Sequence, residues 1–356
     1  MSITWELRLY DNAGARVATF DTWPALQVEV GVNRPAVFAL RLDGNDARVA
    51  LFEQDGILEG WWTDADAGIA WRREFCGLCV DPRKWTDAQG GRHYQIAGLG
   101  LEDVLARTII DQDAGVAASR KTGVGETVLK AWVNQEAGPG AGARARTGLS
   151  IEADAAAGGN WSGQRSNRNL LTVCQQVAEV TKLQFGIERT ATGAFTFEFQ
   201  VWAPTDRRTK VRFAEDFGNM GEPSVTQTQS AVANWIKAGG DGAGAARDVA
   251  YDTDAVSVAL SPWGQRERFV NAGGQGVGDE LDDRATQELV ANRARVGFDF
   301  TVIQTPGTLY GKDYFLGDYV AAIYDGVSYA RRIDAVRWGV TAAGVTAKIV
   351  TVEAAL

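Results

Sequence analysis

Apolar and polar positions alternate with period two through most of the first hundred residues. Trp5, Leu7 and Leu9 alternate with Glu6, Arg8 and Tyr10, and Leu26, Val28, Val30 and Val32 with Gln27, Glu29 and Gly31. Such alternation predicts half-buried strands. Further strands are expected over 17–20, 37–42, 57–63, 71–80 and 92–97, separated by turn chemistry at Asp11–Gly14, Asp64–Gly68 and Gln89–Gly91. Short strands at roughly ten-residue spacing suggest a closed barrel or a sandwich.

The period changes after residue 98. A short apolar helix is expected over 101–109. Thr122–Glu126 has cap-like spacing before Val128, Leu129, Trp132 and Val133, which share a helix face. The Gly/Ala-rich stretch 138–166 reads as an extended surface loop. Asn167-Arg168-Asn169 opens a helix over 170–182, with Leu170, Val173, Cys174, Val177 and Val180 near one face. A hairpin over 185–188 and 195–202 turns at Thr192-Gly193. From about 216 the strand pattern returns over 224–229, 233–238, 247–252 and 265–270. A long helix is expected over 279–296, acidic at its start and carrying Arg293 and Arg295 near its end. Strands over 298–304, 319–324, 328–338 and 345–352 follow. Three units are therefore expected: a β module over 1–98, an α+β insert over 99–215 and a second β module over 216–356.

Composition narrows the functional classes. The 356 residues, 45% hydrophobic and 23% charged, are those of a globular chain. No stretch approaches the roughly 20 apolar residues of a membrane helix, and the strand-like start leads us to expect no secretory signal. The 36 basic and 45 acidic residues leave a net charge of −9, which opposes a grip on phosphates.

Candidate chemistry is sparse. Cys76 and Cys79 have CxxC spacing, and His93 and Cys174 could complete a zinc set. A spacing of three on a strand, however, puts the two thiols on opposite faces, so small buried side chains are the expectation. With one histidine, a Ser-His-Asp triad would depend on His93, and no nucleophile elbow is present. Gly239–Gly244 resembles a phosphate cradle, but a strand rather than a helix is expected after it, which makes it a hairpin loop. A glycosidase pair needs two carboxyls about 5–10 Å apart, whereas Asp11, Asp64, Asp66 and Asp216 stand in turn contexts. Asn160-Trp161-Ser162 matches a glycosylation sequon by coincidence. The 12 Trp are scattered rather than clustered, which favours core or interface roles over a sugar platform. No catalytic, cofactor-binding or metal-binding residue is assigned.

Several segments, in order along the chain, together resemble the siphovirus tail-tip hub family of minor tail proteins, relatives of the central hub of contractile-tail baseplates. In the first segment, Trp5–Leu42, Trp23, Leu26, Asn33, Pro35, Phe38, Leu40 and Leu42 stand for the family pattern, with Ala36 where the family often has Gly. The middle helix and Gly-Pro exit lie in Gly125–Ile151, and the helix before a hairpin in Arg168–Ile187. Phe213–Glu222 matches the linker, and Ala233–Gly244 a strand and glycine loop. Thr305–Gly326 is the best match, with Leu316-Gly317-Asp318 before a strand.

The resemblance implies an α+β, β-rich fold with two tail-tube-like β-barrel modules around an α+β insert. It implies a homotrimeric ring that joins the tail tube or distal-tail ring to the tip. Its partners would be the distal tail protein, the tail tube, the tape-measure protein and tip fibre proteins. Genomic DNA would be met only in transit through an acidic lumen that repels it. No cofactor, no enzymatic activity and no membrane insertion are implied. Some relatives carry a fused lysin, which is not expected after the last strand here. The location would be the virion tail tip, with assembly in the host cytoplasm. Gly317-Asp318 is expected to form a tight turn. A carboxylate-dependent cell-wall glycan hydrolase and a carbohydrate-binding receptor module are the rival readings.

Overall fold

A computed structural model describes residues 3–191, 194–228, 232–273, 279–293 and 295–354. The chain opens with seven strands: β1 (Ile3–Tyr10), β2 (Arg16–Phe20), β3 (Ala25–Gly31), β4 (Arg34–Asp43), β5 (Ile57–Asp64), β6 (Ile69–Thr86) and β7 (Arg92–Gly100). Antiparallel pairing sets them in the order β3-β4-β7-β6-β5-β1-β2. The alternation seen in the sequence is the burial pattern, since Trp5, Leu7 and Leu9 are all buried on one face of β1.

The insert holds β8 (Ser119–Val124), α1 (Gly125–Glu136), β9 (Asn160–Arg165), α2 (Leu170–Thr181), β10 (Gln184–Arg189) and β11 (Phe197–Trp202). α2 opens after the expected Asn167–Asn169 stretch, within which the Asn169 side chain accepts from the Thr172 N–H; Lys182, expected inside the helix, ends it in the left-handed region at φ 60°. Three local expectations are corrected. The helix expected over 101–109 spans only Asp103–Ala106, because Ile109–Ile110 leaves it to pair with Arg168–Asn169. The stretch 138–166 is not all loop, since β9 pairs along the whole of β8. The N-cap of α1 is Val124, without a side-chain cap. There Glu126 faces the other way and accepts from the Ala155 and Ala157 N–H groups at 3.0 and 2.7 Å. The turn at Thr192-Gly193 lies outside the described residues.

The third part contains β12 (Arg212–Ala214), β13 (Met220–Thr228), β14 (Trp235–Gly239), β15 (Val249–Thr253), β16 (Glu267–Asn271), α3 (Asp279–Asn292), β17 (Arg295–Val302), β18 (Tyr319–Tyr324), β19 (Val327–Thr341) and β20 (Gly344–Glu353). The helix expected to run to 296 stops at Asn292, and Arg295, expected near its end, begins β17 instead. Ala255–Ala259 adds a short helix capped by Asp254.

These late strands do not stand apart from the early ones. β19 pairs antiparallel with β3, from Thr341 opposite Ala25 to Ala335 opposite Gly31. One eleven-stranded sheet results, ordered β12-β18-β19-β3-β4-β7-β6-β5-β1-β2 with β20 on β19. No ladder among the described residues joins β2 to β12, so this sheet is open. The α+β, β-rich class holds.

Three cores follow. The main core takes Trp5, Leu7, Phe38 and Trp62 from the first strands and Phe213, Phe298, Val336 and Trp338 from the last. The second gathers α1, α2, β10 and β11 against Tyr10, Ile57 and Leu78. The third is small: Ile236, Ala238, Ala250 and Val270 of the β15-β14-β16 sheet against Leu281 and Ala285 of α3.

Candidate functional site at the junction of sheet and insert

The sequence-derived chemical candidates resolve into structural roles. Cys79 belongs to the main core, whereas Cys76 packs against the insert core with Cys174. The two thiols thus leave opposite faces of β6, as the spacing required. Burial pushes the Cys79 thiol up to about 12, where it stays protonated. His93 sits elsewhere, its Nε2 2.7 Å from Asp87 and its Nδ1 3.1 Å from Arg41. Among the described residues no cluster of three metal-ligating side chains forms.

Several of the remaining candidates serve the backbone or the core. Asp11 accepts from the Ala13 and Ala15 N–H groups, and Asp64 from that of Ala67. Asp216 is exposed in a single helical turn. The Gly239–Gly244 loop is the β14–β15 hairpin connection, and Arg247 donates to the Gly239 and Gly240 carbonyls. Asn160-Trp161-Ser162 lies in β9 with Trp161 buried. Trp5, Trp62, Trp132, Trp161 and Trp338 are buried, and only Trp71, Trp202 and Trp263 are well exposed. Gly317, at φ +87°, makes the expected tight turn; its N–H donates to Ile333 and its carbonyl accepts from Gln184 Nε2. Buried Asp318 accepts from the Phe315 N–H and pairs with Arg207.

The dense polar chemistry lies where the insert meets the long sheet. Asn33 occupies the β3–β4 turn at φ 56°. Its Nδ2 donates to Leu183 at 3.1 Å, its Oδ1 accepts from the Phe185 N–H at 2.8 Å, and its carbonyl accepts from Gln175 Nε2 at 2.9 Å. Two residues along the same edge of β10, the Ile187 N–H donates to Glu102 Oε1 at 3.2 Å. β10 is the outer strand of its sheet, so Asn33 and Glu102 satisfy donors that would otherwise be left without partners. Burial raises the Glu102 carboxyl to about 7, against the lowering pull of the backbone N–H groups, with Glu188 adding to the rise.

A second polar cluster lies at the other end of β10. Arg189 lies 3.8 Å over the Tyr10 ring and donates to the Gly14 carbonyl at 2.8 Å. Glu59, 3% exposed, accepts from Tyr10 Oη, Trp61 Nε1 and Arg73 at 3.0, 3.0 and 3.1 Å. Those bonds hold its carboxyl below the usual range despite burial. Arg73 also pairs with Glu188 on β10. Together, Arg73 and Arg189 tie the insert to the first β strands.

A third cluster ties first strands to last. Glu74 accepts from Trp62 Nε1 at 2.7 Å, Tyr310 Oη at 2.9 Å and Trp338 Nε1 at 3.0 Å. Trp338 packs against Trp5 and Trp62 at centroid distances of 5.2 and 5.1 Å. Burial, then the Glu74 charge, raises the Tyr310 hydroxyl well above its ordinary range. A cavity of about 400 Å³ between these clusters is lined by Arg72, Glu102, Gln184, Trp202 and Phe315 among others. Sequence reasoning missed Glu59, Glu74, Glu102 and Arg189. The available signal was a lone charge within an apolar strand run, as in Ile57-Leu58-Glu59-Gly60-Trp61-Trp62. The arrangement is a set of polar clamps that join β10 and the last strands to the first strands.

This architecture is similar from end to end to that of solved tail proteins. The 43 kDa tail protein of prophage MuSo2 from Shewanella oneidensis superposes with a TM-score of 0.58 over 99% of this chain and 97% of that one, at 13% identity. A tail protein of Neisseria meningitidis MC58 gives 0.56 over 100% and 97%, at 12% identity. The prophage tail protein gp18 of Listeria monocytogenes EGD-e gives 0.52 over 98% and 94%, at 13% identity. At these identities the likeness is one of fold. No curated protein matches the chain in sequence. The family model of the Siphovirus ReqiPepy6 Gp37-like protein matches residues 6–352, and the chain belongs to that family of phage tail proteins.

Proposed function

We propose that the chain is the subunit of a homotrimeric hub at the tip of a long-tailed phage. The chain is a structural component of a phage tail and not an enzyme. In the proposed ring the β regions 1–98 and 216–356 are two tube-like modules per subunit, with 99–215 as the insert between them. Three copies present six such modules to the six-fold tail tube. The ring joins the distal tail protein and tube on one side to tip fibre proteins on the other, receives the end of the tape-measure protein, and passes genomic DNA. The net charge of −9 supports a lumen that does not retain DNA. The subunit is assembled in the host cytoplasm and resides at the virion tail tip.

The single observation that carries this reading is the likeness of fold to prophage tail proteins over essentially the whole chain. The clamps of Asn33, Glu59 and Glu74 suit it, since a ring subunit must transmit load without its parts shearing. Two measurements test the proposal. Light-scattering mass of the purified protein is expected at three times that of the chain, and gold-labelled antibody is expected at the tail tip of intact particles. A monomer at every concentration, or label along the tail shaft, overturns it.

A further inference from the structure

Among the described residues the β15-β14-β16 sheet is covered on one face. Ile236, Ala238, Ala250 and Val270 meet Leu281 and Ala285 of α3. The register puts Tyr251, Lys237 and Phe269 in one row on the opposite face, with Val249 and Trp235 in the flanking rows. Tyr251 and Phe269 are 51% and 53% exposed. The face is also cationic. Lys237 lies 5.5 Å from the centre of the Tyr251 ring, and Arg247 lies 5.1 Å from that of Phe269; among the described residues of the three strands, the register places one carboxylate, Glu267, on this face, beside Trp235. Arg247 is held there by the Gly239 and Gly240 carbonyls and by Asn271. Exposed aromatic rings beside an arginine held by hydrogen bonds are residue types enriched at interfaces.

The chain carries a complementary feature elsewhere. Between β12 and β13 a single helical turn, Glu215–Phe217, projects outward. Phe217 is 58% exposed and directly follows exposed Glu215 and Asp216. An exposed apolar ring beside two carboxylates is the charge complement of exposed rings beside two cations. In an acidic chain, such a cationic aromatic face selects an acidic partner.

The geometry points to a second copy of this chain as the occupant: the Glu215–Phe217 turn of one copy docks on the Tyr251–Lys237–Phe269 face of the next. The contact is heterologous, so each copy offers one turn and one face, and repetition at a rotation that closes makes a ring. This assignment rests on the oligomeric reading above and names the surfaces that would make the ring.

Charge reversal tests it on the full chain. Lys237→Glu and Asp216→Lys are each expected to weaken self-association about tenfold or more, the scale of removing one partner of an interfacial charge pair. The double variant is expected to recover most of that loss. A photo-crosslinking residue at position 269 is expected to yield a covalent dimer through residues 213–222. Unchanged thermal unfolding of the dilute single variants separates lost association from lost folding. An oligomer that withstands both reversals and gives no 269 adduct overturns the docking while the ring stands. Adducts from 269 to a different segment of a second copy also overturn it. A wild-type chain that is monomeric at all concentrations overturns both.

Discussion

Asn33 shows how much a single side chain can hold. Its left-handed φ of 56° suits a turn, a geometry that glycine adopts more freely. Its amide, however, joins Leu183 and Phe185, about 150 residues away. Asn33→Gly therefore separates the two roles: it keeps the turn and removes the clamp. We expect a loss of about 2–3 kcal/mol in urea unfolding, because the buried Phe185 N–H loses its partner. A loss under half a kcal/mol would mean that water replaces the amide. Glu102 adds a pH dependence. Its folded carboxyl titrates at about 7, against 4.5 for the unfolded chain. The unfolded state therefore releases this proton first as pH rises. The contribution of Glu102 to stability is full below about 4.5, declines up to about 7 and is then flat. Glu102→Gln, which can still accept from Ile187, is expected to remove that decline from the denaturation midpoints measured between pH 5 and 8.

At the scale of elements, α1 illustrates a helix stabilised from outside its own sequence. Lys130, with its side chain 5% exposed, donates to Glu126 at 2.6 Å, to Glu152 at 3.2 Å and to the Ala153 carbonyl at 2.7 Å. Glu126 in turn holds the Ala155 and Ala157 N–H groups. Lys130→Met leaves Glu126 buried and unpaired and is expected to cost about 3–5 kcal/mol by chemical denaturation. The Glu126→Gln, Lys130→Met pair is expected to be less damaging than the single change. The apolar spacing of Val128, Leu129, Trp132 and Val133 made this helix legible in the sequence. The strand β9, by contrast, was hidden. Asn160–Arg165 has no apolar alternation, and it is held by pairing along β8. The same logic holds elsewhere. Strands with one buried face and the α2 cap at Asn169 were readable, because each is set by residues adjacent in sequence. The clamps were not readable, because Glu59, Glu74 and Glu102 draw their meaning from donors on distant strands. Asn33 lay between the two: the family resemblance picked out the residue, and only the fold gave the reason.

For the whole molecule, the decisive fact is that first and last strands share one core. Trp338 of β19 touches Trp5 and Trp62 and donates to Glu74. Trp338→Ala removes a large buried aromatic, at about 3–5 kcal/mol. It should lower the unfolding midpoint of residues 1–98 and 295–354 together, as read by hydrogen exchange in both segments. Separate midpoints for the two segments would show that the shared sheet does not couple them.

The β3–β19 ladder also matters on the ribosome. Leu26 pairs with Val340, more than 300 residues later in the chain. At about 5–20 residues per second, synthesis leaves that edge of the early sheet without its partner for roughly 15–60 s. Through that interval β3 presents unpaired backbone groups to other nascent chains. Shielding that edge until the last strands emerge is therefore expected to govern soluble yield: chaperone supply or slower initiation should raise it more than a substitution that stabilises the finished fold.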